Sequence, residues 1–528
     1  MTTAAAFSWL AELSARDPQQ PLLLDGDRAW TAGEVCDQLF DLSYRLAPGR
    51  VLGVLADNSP AWVVADLAAQ EAERVHLPLP AFFTAGQLKH ALEQTATDLV
   101  LSDQPERIEA LGLGFSRIDF WQGLALLRRE VAPRVLPTGT AKISYTSGST
   151  GTPKGVCLSA KGLLATARAV RDRLADLPLR RHLAVMPLAL LLENVAGVHA
   201  PLLRGLPVHL PSLGRIGWRG MASIDPLALD GAVRAAGASS VILVPELLKA
   251  WTAGLALSGR RATEELLFVA VGGARVSDDL IGEARRLGLP AYQGYGLTEG
   301  GSVLTLNRPG DDGIGVGRPL AHARLFVRGG EVVVESAAFL GYLGEPAAAA
   351  DCFATGDLAQ MDDAGHLHLA GRRKNLLITS FGRNVSPEWP EAALLADPRI
   401  VQAVVIGDGE PTLTAIVVPL PGVSASVVEQ AIDCANETLP DYARIGHWRI
   451  SEPFSVGNGL ATGNGRPIRQ RIVERFAAQL AGHRNDTPLS DPTTGDADDD
   501  GNDIDLDAIE RGPGRPHQST IPEAPPCN

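Results

Sequence analysis

Short apolar runs alternate along most of this chain with longer stretches in which apolar positions recur every three or four residues. In "VLGVLADNSPAWVVADLAAQEA" the run from Val51 to Leu55 predicts a buried strand, Asn58 to Pro60 a turn, and the spacing that follows a helix. "SSVILVPELLKAW" and "LLFVAVGGARVSDDLIGEARRLG" repeat the order strand, loop, helix. That order predicts an α/β body with largely parallel sheets. In "ARLFVRGGEVVVES" two strand-like runs meet at Gly329-Gly330, which predicts a hairpin and a β-rich subdomain. After Gly371 the pattern changes again, to a helix near "PEWPEAALLA", strands at "AVVIGD" and "LTAIVVP", and a helix from near Val427: a second, smaller α/β unit. Beyond about Gly482 the chain is Pro, Gly, Asp and Thr with few apolar residues, which predicts disorder. The expected divisions are 1–371, 372–482 and an acidic tail, 483–528, with no internal repeat.

Composition narrows the class. The 528 residues, 45% hydrophobic and 20% charged, can bury a large core in two or more domains. No apolar run reaches the ~18 residues of a membrane span, and "MTTAAAFSWLAELSARD" lacks the basic start of a secretory signal. A cytoplasmic protein is expected. Cys36, Cys157, Cys352, Cys434 and Cys527 fit neither a disulfide framework nor a metal-ligand spacing, so a reducing compartment is expected. Of the net charge of -14, the stretch from Asn485 to Asn528 carries eleven acids and two arginines, leaving -5 for the rest. No basic stripe points to nucleic acid.

Candidate chemistry starts at "YTSGSTGTPKGV", Tyr145 to Val156. Gly148 and Gly151 allow close backbone approach, the hydroxyls of Thr146, Ser147, Ser149 and Thr150 can donate hydrogen bonds, and Lys154 adds a point charge. Together they suit a polyphosphate. The P-loop is excluded, because the lysine follows Pro153 and precedes Gly155. A surface linker is the plain alternative, but linkers rarely lie between a strand-like "KISY" and an apolar "VCL". Further candidates follow in order: Tyr295, Thr298 and Glu299 in "GYGLTEGGS", Asp357 in "FATGDLA", and Arg372 and Lys374 in "HLAGRRKNLL".

In order and spacing, from roughly Leu22 to Ala481, these stretches resemble the adenylate-forming superfamily of acyl-CoA synthetases, peptide-synthetase adenylation domains and beetle luciferases. The resemblance implies a large N-terminal domain with two mainly parallel sheets and a β-rich subdomain, and a small mobile C-terminal α/β domain. It implies a carboxylic acid, ATP and Mg2+ as reactants, acyl-adenylate and pyrophosphate as first products, and transfer to coenzyme A or to the phosphopantetheine of a carrier protein. Thr146 to Lys154 would then hold the β- and γ-phosphates. Gly272, Gly273, Ala274 and Tyr295 would bracket adenine, Thr298 would meet phosphate, Glu299 magnesium, and Asp357 and Arg372 the ribose hydroxyls. Lys374 matches the hinge about which the small domain turns. Each has a plain alternative, such as core packing for Tyr295 or a surface ion pair for Arg372.

Two positions depart from the family. Phe381-Gly382 stands where Gly-Gly commonly lines the pantetheine channel. Arg466, in "LATGNGRPIRQ", stands where long-chain acyl-CoA synthetases place the adenylation lysine, and no lysine follows Lys374. Acyl specificity in the family comes from the helix after "MPLALLLENVAG" and the floor at "YQGYG". Pro187-Leu188-Ala189-Leu190 offers no aspartate for an amino group, so an amino acid is not expected. Leu190, Leu191, Val195, Gly197 and Gly294 suit an aliphatic or aryl tail, and a fatty acid is the expectation. Against this enzyme stand a non-catalytic acyl- or nucleotide-binding homologue, suggested by Arg466, and an enzyme that stops at the adenylate and passes it to a carrier protein or amine. In the tail, "DADDDGNDIDLD" fits part of a calcium loop, but breakers precede it and a solvated acidic tail is expected.

Overall fold

The computed structural model describes residues 7–481 apart from 27, 147–153, 220–223, 312–314, 347, 349–351, 381, 382 and 464. Phe381, Ser147, Gly148, Ser149, Thr150, Gly151 and the acidic tail with its calcium-like segment therefore lie outside the described residues.

Two large sheets form the body. In the nine-stranded sheet, Pro21–Asp25, Val208–His209, His182–Leu183, Ser240–Leu243, Phe268–Val271 and Ala291–Tyr295 run parallel, with antiparallel strands at both margins. The eight-stranded sheet is parallel at its centre, through Thr140–Thr146, Val75–Pro78, Val51–Leu55 and Leu99–Ser102, and antiparallel outside it. The predicted strand at Val51–Leu55 is fully buried and leads into the helix Pro60–Glu71. Ser59 caps that helix by accepting from the Trp62 amide, and Pro60 occupies its first turn. The helix touches strands of both sheets and is buried from Pro60 to Ala69, which is why its sequence is apolar all round. The predicted hairpin is present: Arg324–Arg328 and Glu331–Glu335 turn through Gly329 and Gly330, at φ 57° and 79°, within a four-stranded antiparallel sheet. Past it, Ile400–Ile406, Leu413–Pro419 and Ile445–Ile450 form a three-stranded sheet with the helices Glu388–Ala396, Ala425–Glu437 and Arg469–Ala481. Among the described residues no helix is long and apolar enough to cross a membrane. Cys36, Cys157 and Cys434 are free thiols.

One buried polar network interrupts this apolar interior. Asp66 faces His76 Nδ1 at 2.6 Å, Lys142 Nζ at 2.7 Å, Asn194 Nδ2 at 2.7 Å and His199 Nε2 at 2.8 Å. All five side chains are essentially solvent-free. Burial alone would raise the Asp66 carboxyl, but Lys142, His76 and His199 hold it well below the ordinary carboxylate range. His76 and His199 are lowered in turn, first by burial.

His209 and His322 are half-buried, and desolvation lowers each to about 4. Below the ordinary histidine value the unfolded chain binds these protons and the folded chain does not, so the contribution of these two residues to stability is constant above about pH 6.5 and declines from there toward pH 4. The thermal unfolding midpoint is therefore expected to fall between pH 7 and pH 5, with a shallower fall in a His322→Gln variant.

Candidate active site

Three parallel strands, Ser240–Leu243, Phe268–Val271 and Ala291–Tyr295, end at the same edge of the nine-stranded sheet, where α/β proteins place their ligands. The loops leaving that edge carry Gly272 to Ala274 and Thr298-Glu299. Gly273 has φ +88°, and a Cβ on Gly272 would come 3.3 Å from the Gly294 carbonyl, so the loop turns tightly over the strand ends. Gly294 is similarly confined, its Cβ position lying 3.1 Å from the Thr305 carbonyl.

Tyr295, Asp357 and Arg372 form one relay. The Tyr295 hydroxyl donates to Asp357 Oδ2 at 2.7 Å, and Arg372 Nε donates to Asp357 Oδ1 at 2.8 Å. Asp357 and Arg372 face each other because the antiparallel strands Cys352–Met361 and Leu367–Arg372 pair them in register. The Tyr295 ring packs with Leu304, Val332, Val334 and Leu367, and burial raises its hydroxyl, so the residue serves the core as well as the cavity that it lines.

Glu299 sits in a single 3-10 turn, Thr298–Gly300, and its Oε1 accepts from the Tyr342 hydroxyl at 2.8 Å. Lys154 lies 5.2 Å from the centre of the Tyr342 ring and 3.3 Å from Glu345 Oε1. The structure thus brings the predicted Lys154 and Glu299 together through Tyr342 and Glu345, two residues that sequence reasoning missed. No local pattern marks them, since the strand Phe339–Tyr342 reaches the site only by pairing with Lys154–Ser159. Thr146 pairs with Lys154 across the same hairpin, which fixes both ends of the 147–153 loop. Among the described residues no group of three or more metal-ligating side chains occurs. A single carboxylate with one oxygen held by Tyr342 fits magnesium carried in on phosphates, where few protein ligands are needed.

Arg466 belongs to the C-terminal unit. Thr462 Oγ1 accepts from the Arg466 amide at 3.1 Å, and the resulting turn extends Nη2 to the Gly273 carbonyl at 2.7 Å. Lys374 lies in the turn Arg373–Asn375, where its neighbour Arg373 pairs with Glu331 at 2.8 Å. Both Lys374 and Arg466 border the same cavity of about 2700 Å³ as Gly272, Tyr295, Glu299 and Arg372.

The predicted acyl wall is partly corrected. Leu190 and Leu191 line the cavity, together with Met186, Ala196 and Ala200. Val195 and Gly197 do not, because residues 193–199 form a π-helix that turns Val195 into the core. Gly197 is instead required by packing: a Cβ there would lie 1.9 Å from Glu193 Oε1 and 2.8 Å from His182 Nε2.

Comparison with known proteins identifies the family. The family of AMP-binding enzymes matches residues 10–338, and the AMP-binding enzyme C-terminal domain matches 374–486. A feruloyl-CoA synthase from Amycolatopsis sp is 29% identical over 89% of this chain and 98% of its own length. The long-chain-fatty-acid–CoA ligase FadD15 of Mycobacterium tuberculosis is 28% identical over 65% of this chain and 69% of its own. The o-succinylbenzoate CoA synthetase of Bacillus subtilis, solved with its acyl-adenylate intermediate, superposes with a TM-score of 0.70 at 20% identity, covering 88% of this chain and 97% of that one. With matches that span both units, the chain belongs to the AMP-binding enzymes of the adenylate-forming superfamily and is an AMP-forming acid–thiol ligase.

Proposed function

We propose that the protein joins a fatty acid to coenzyme A by way of an acyl-adenylate. The observation that carries the choice of a fatty acid is the inner reach of the cavity. It continues past Leu190 and Leu191 along Ile242 and Ala270 to Ser240 and Phe268, which are register partners at the far ends of their strands. From Phe268 to Gly272 the strand rises about 13 Å, room for an extended alkyl chain of about ten carbons. Val170, Leu174 and Leu206 continue the apolar wall. The polar groups on this path are spoken for: His182 Nδ1 pairs with Ser240 Oγ at 3.0 Å and His182 Nε2 with Glu193 Oε1 at 2.9 Å. A hydroxyl on an aryl acid would have to compete with these existing hydrogen bonds.

In this reading the acid's carboxylate lies at the mouth of the apolar path, below the Gly272–Ala274 loop, and attacks the α-phosphate in line with pyrophosphate departure. Lys154 and the 146–153 loop would hold the leaving phosphates, and the Asp357–Arg372 pair would receive the ribose hydroxyls. Magnesium, held by Glu299 and phosphate oxygens, would offset charge as pyrophosphate departs. Arg466 would place a guanidinium beside the same oxygens. A thiol then displaces AMP from the acyl carbon.

The test is pyrophosphate release and thioester formation with Mg-ATP, coenzyme A, and linear acids of graded length beside cinnamic and benzoic acids. Activity that peaks at about ten to fourteen carbons is expected. A preference for aryl acids would overturn the fatty-acid assignment, and pyrophosphate release without coenzyme A thioester would move the acceptor to a carrier protein or an amine.

A further inference from the structure

The helix Pro245–Ser258 begins directly after the strand Ser240–Leu243 and turns one face, Glu246, Lys249, Ala250 and Ala253, toward the C-terminal unit across the cleft. Lys249 spans the gap. Its Nζ donates to the Asp397 carbonyl at 2.7 Å and to the Ile400 carbonyl. Asp397 is the C-cap of the helix Glu388–Ala396, so the lysine satisfies a terminal carbonyl and meets the negative end of the helix dipole. Burial lowers its amine to about 8, against the pull of the Asp397 and Glu246 carboxylates. Such desolvation is offset here by two backbone carbonyls belonging to the other unit. The C-terminal unit that accepts from Lys249 also carries Arg466, whose guanidinium rests on the Gly273 carbonyl. A third point of contact lies at Gly463, where a Cβ would come 3.1 Å from the Phe82 ring.

We propose that Lys249 is a positioning residue for the first half-reaction: by holding the end of the Glu388–Ala396 helix, it fixes the C-terminal unit in the orientation that presents Arg466 to the nucleotide loop. A turn of that unit about the Arg372–Lys374 connection must break the Lys249 and Arg466 contacts together. In this role Lys249 acts through Arg466. The inference rests on the ligase reading above, and its test separates the two.

Wild type, Lys249→Met and Lys249→Arg are compared in three measurements. Pyrophosphate–ATP exchange with a fatty acid reads adenylation, and thioester formation from synthetic acyl-adenylate and coenzyme A reads transfer. Trypsin cleavage at the Arg372–Lys374 connection reads the hold on the C-terminal unit without any turnover. The methionine variant, which keeps the aliphatic length but no donor, is expected to lose about tenfold in kcat of exchange with KM for ATP unchanged. It should keep the transfer rate and be cleaved faster, and arginine should restore exchange and protection in part. Equal losses in both half-reactions, unchanged exchange, or unchanged cleavage would each overturn the positioning role. If wild type is silent in exchange while cleavage still responds to Lys249→Met, the ligase reading fails and the hold on the C-terminal unit stands.

Discussion

Arg466→Ala is expected to lower pyrophosphate release about a hundredfold while leaving thioester formation from preformed acyl-adenylate within about twofold, because losing one oriented donor at a developing charge costs about 3 kcal/mol. The geometry behind this is specific. Among the described residues Arg466 is the side chain that the C-terminal unit extends onto the Gly272–Ala274 loop, and the carbonyl of Gly273 occupies only one of its five N–H donors. The residue borders the cavity in which, on the reading above, the phosphates would lie. Arg466→Lys keeps the charge but loses the planar fork that bridges carbonyl and phosphate, and its rate should fall between alanine and wild type. Single-turnover measurement of pyrophosphate release decides the matter. An alanine variant as fast as wild type would remove Arg466 from the chemistry, whatever its alignment.

The second large effect concerns stability. Asp66→Asn is expected to destabilise the large unit by about 3–5 kcal/mol, the usual consequence of stripping one partner from a buried ion pair. Lys142 would be left solvent-free beside two histidines and an amide, with no counter-charge within contact. A fall in the urea midpoint measures the effect, and replacing Asp66 and Lys142 together, by Asn and Met, should recover part of the loss. A midpoint unchanged in Asp66→Asn would mean that the network carries no net ionic stabilisation.

These two sites were not equally legible in the sequence. Thr298 and Glu299 stood out as candidates because they follow a strand-like apolar run on a loop just beyond its end, whereas Asp357 and Arg372 lie within strands and were singled out only by their motifs. Arg466 stood out as an exchange at a recognisable turn. Tyr342, Glu345 and Lys249 could not be found, since each reaches its partner by contacts between segments distant in sequence. Asp66 was hidden for a related reason: in "AWVVADLAAQ" a lone acid reads as the solvent face of a helix, and only burial between two sheets reveals otherwise. Val195 and Gly197 were misplaced because helical spacing presumes 3.6 residues per turn, whereas residues 193–199 follow a wider winding.

That wider winding makes the acyl wall sensitive to chain length as well as to residue identity. Asn194 and His199 both reach Asp66 while Glu193 reaches His182, so the segment is clamped at each end with one surplus residue between the clamps. Deleting any one of residues 195–198 would let the coil relax to the ordinary α pitch while leaving His199 near its present bearing, because one residue fewer at 3.6 per turn covers about the same rotation as the wider winding. The residues between the clamps, Ala196 of the cavity wall among them, would be re-aimed at once. Within such a scaffold, single-residue insertions and deletions at this turn offer a route to new substrate shapes that point substitution along the cavity would reach only in small steps.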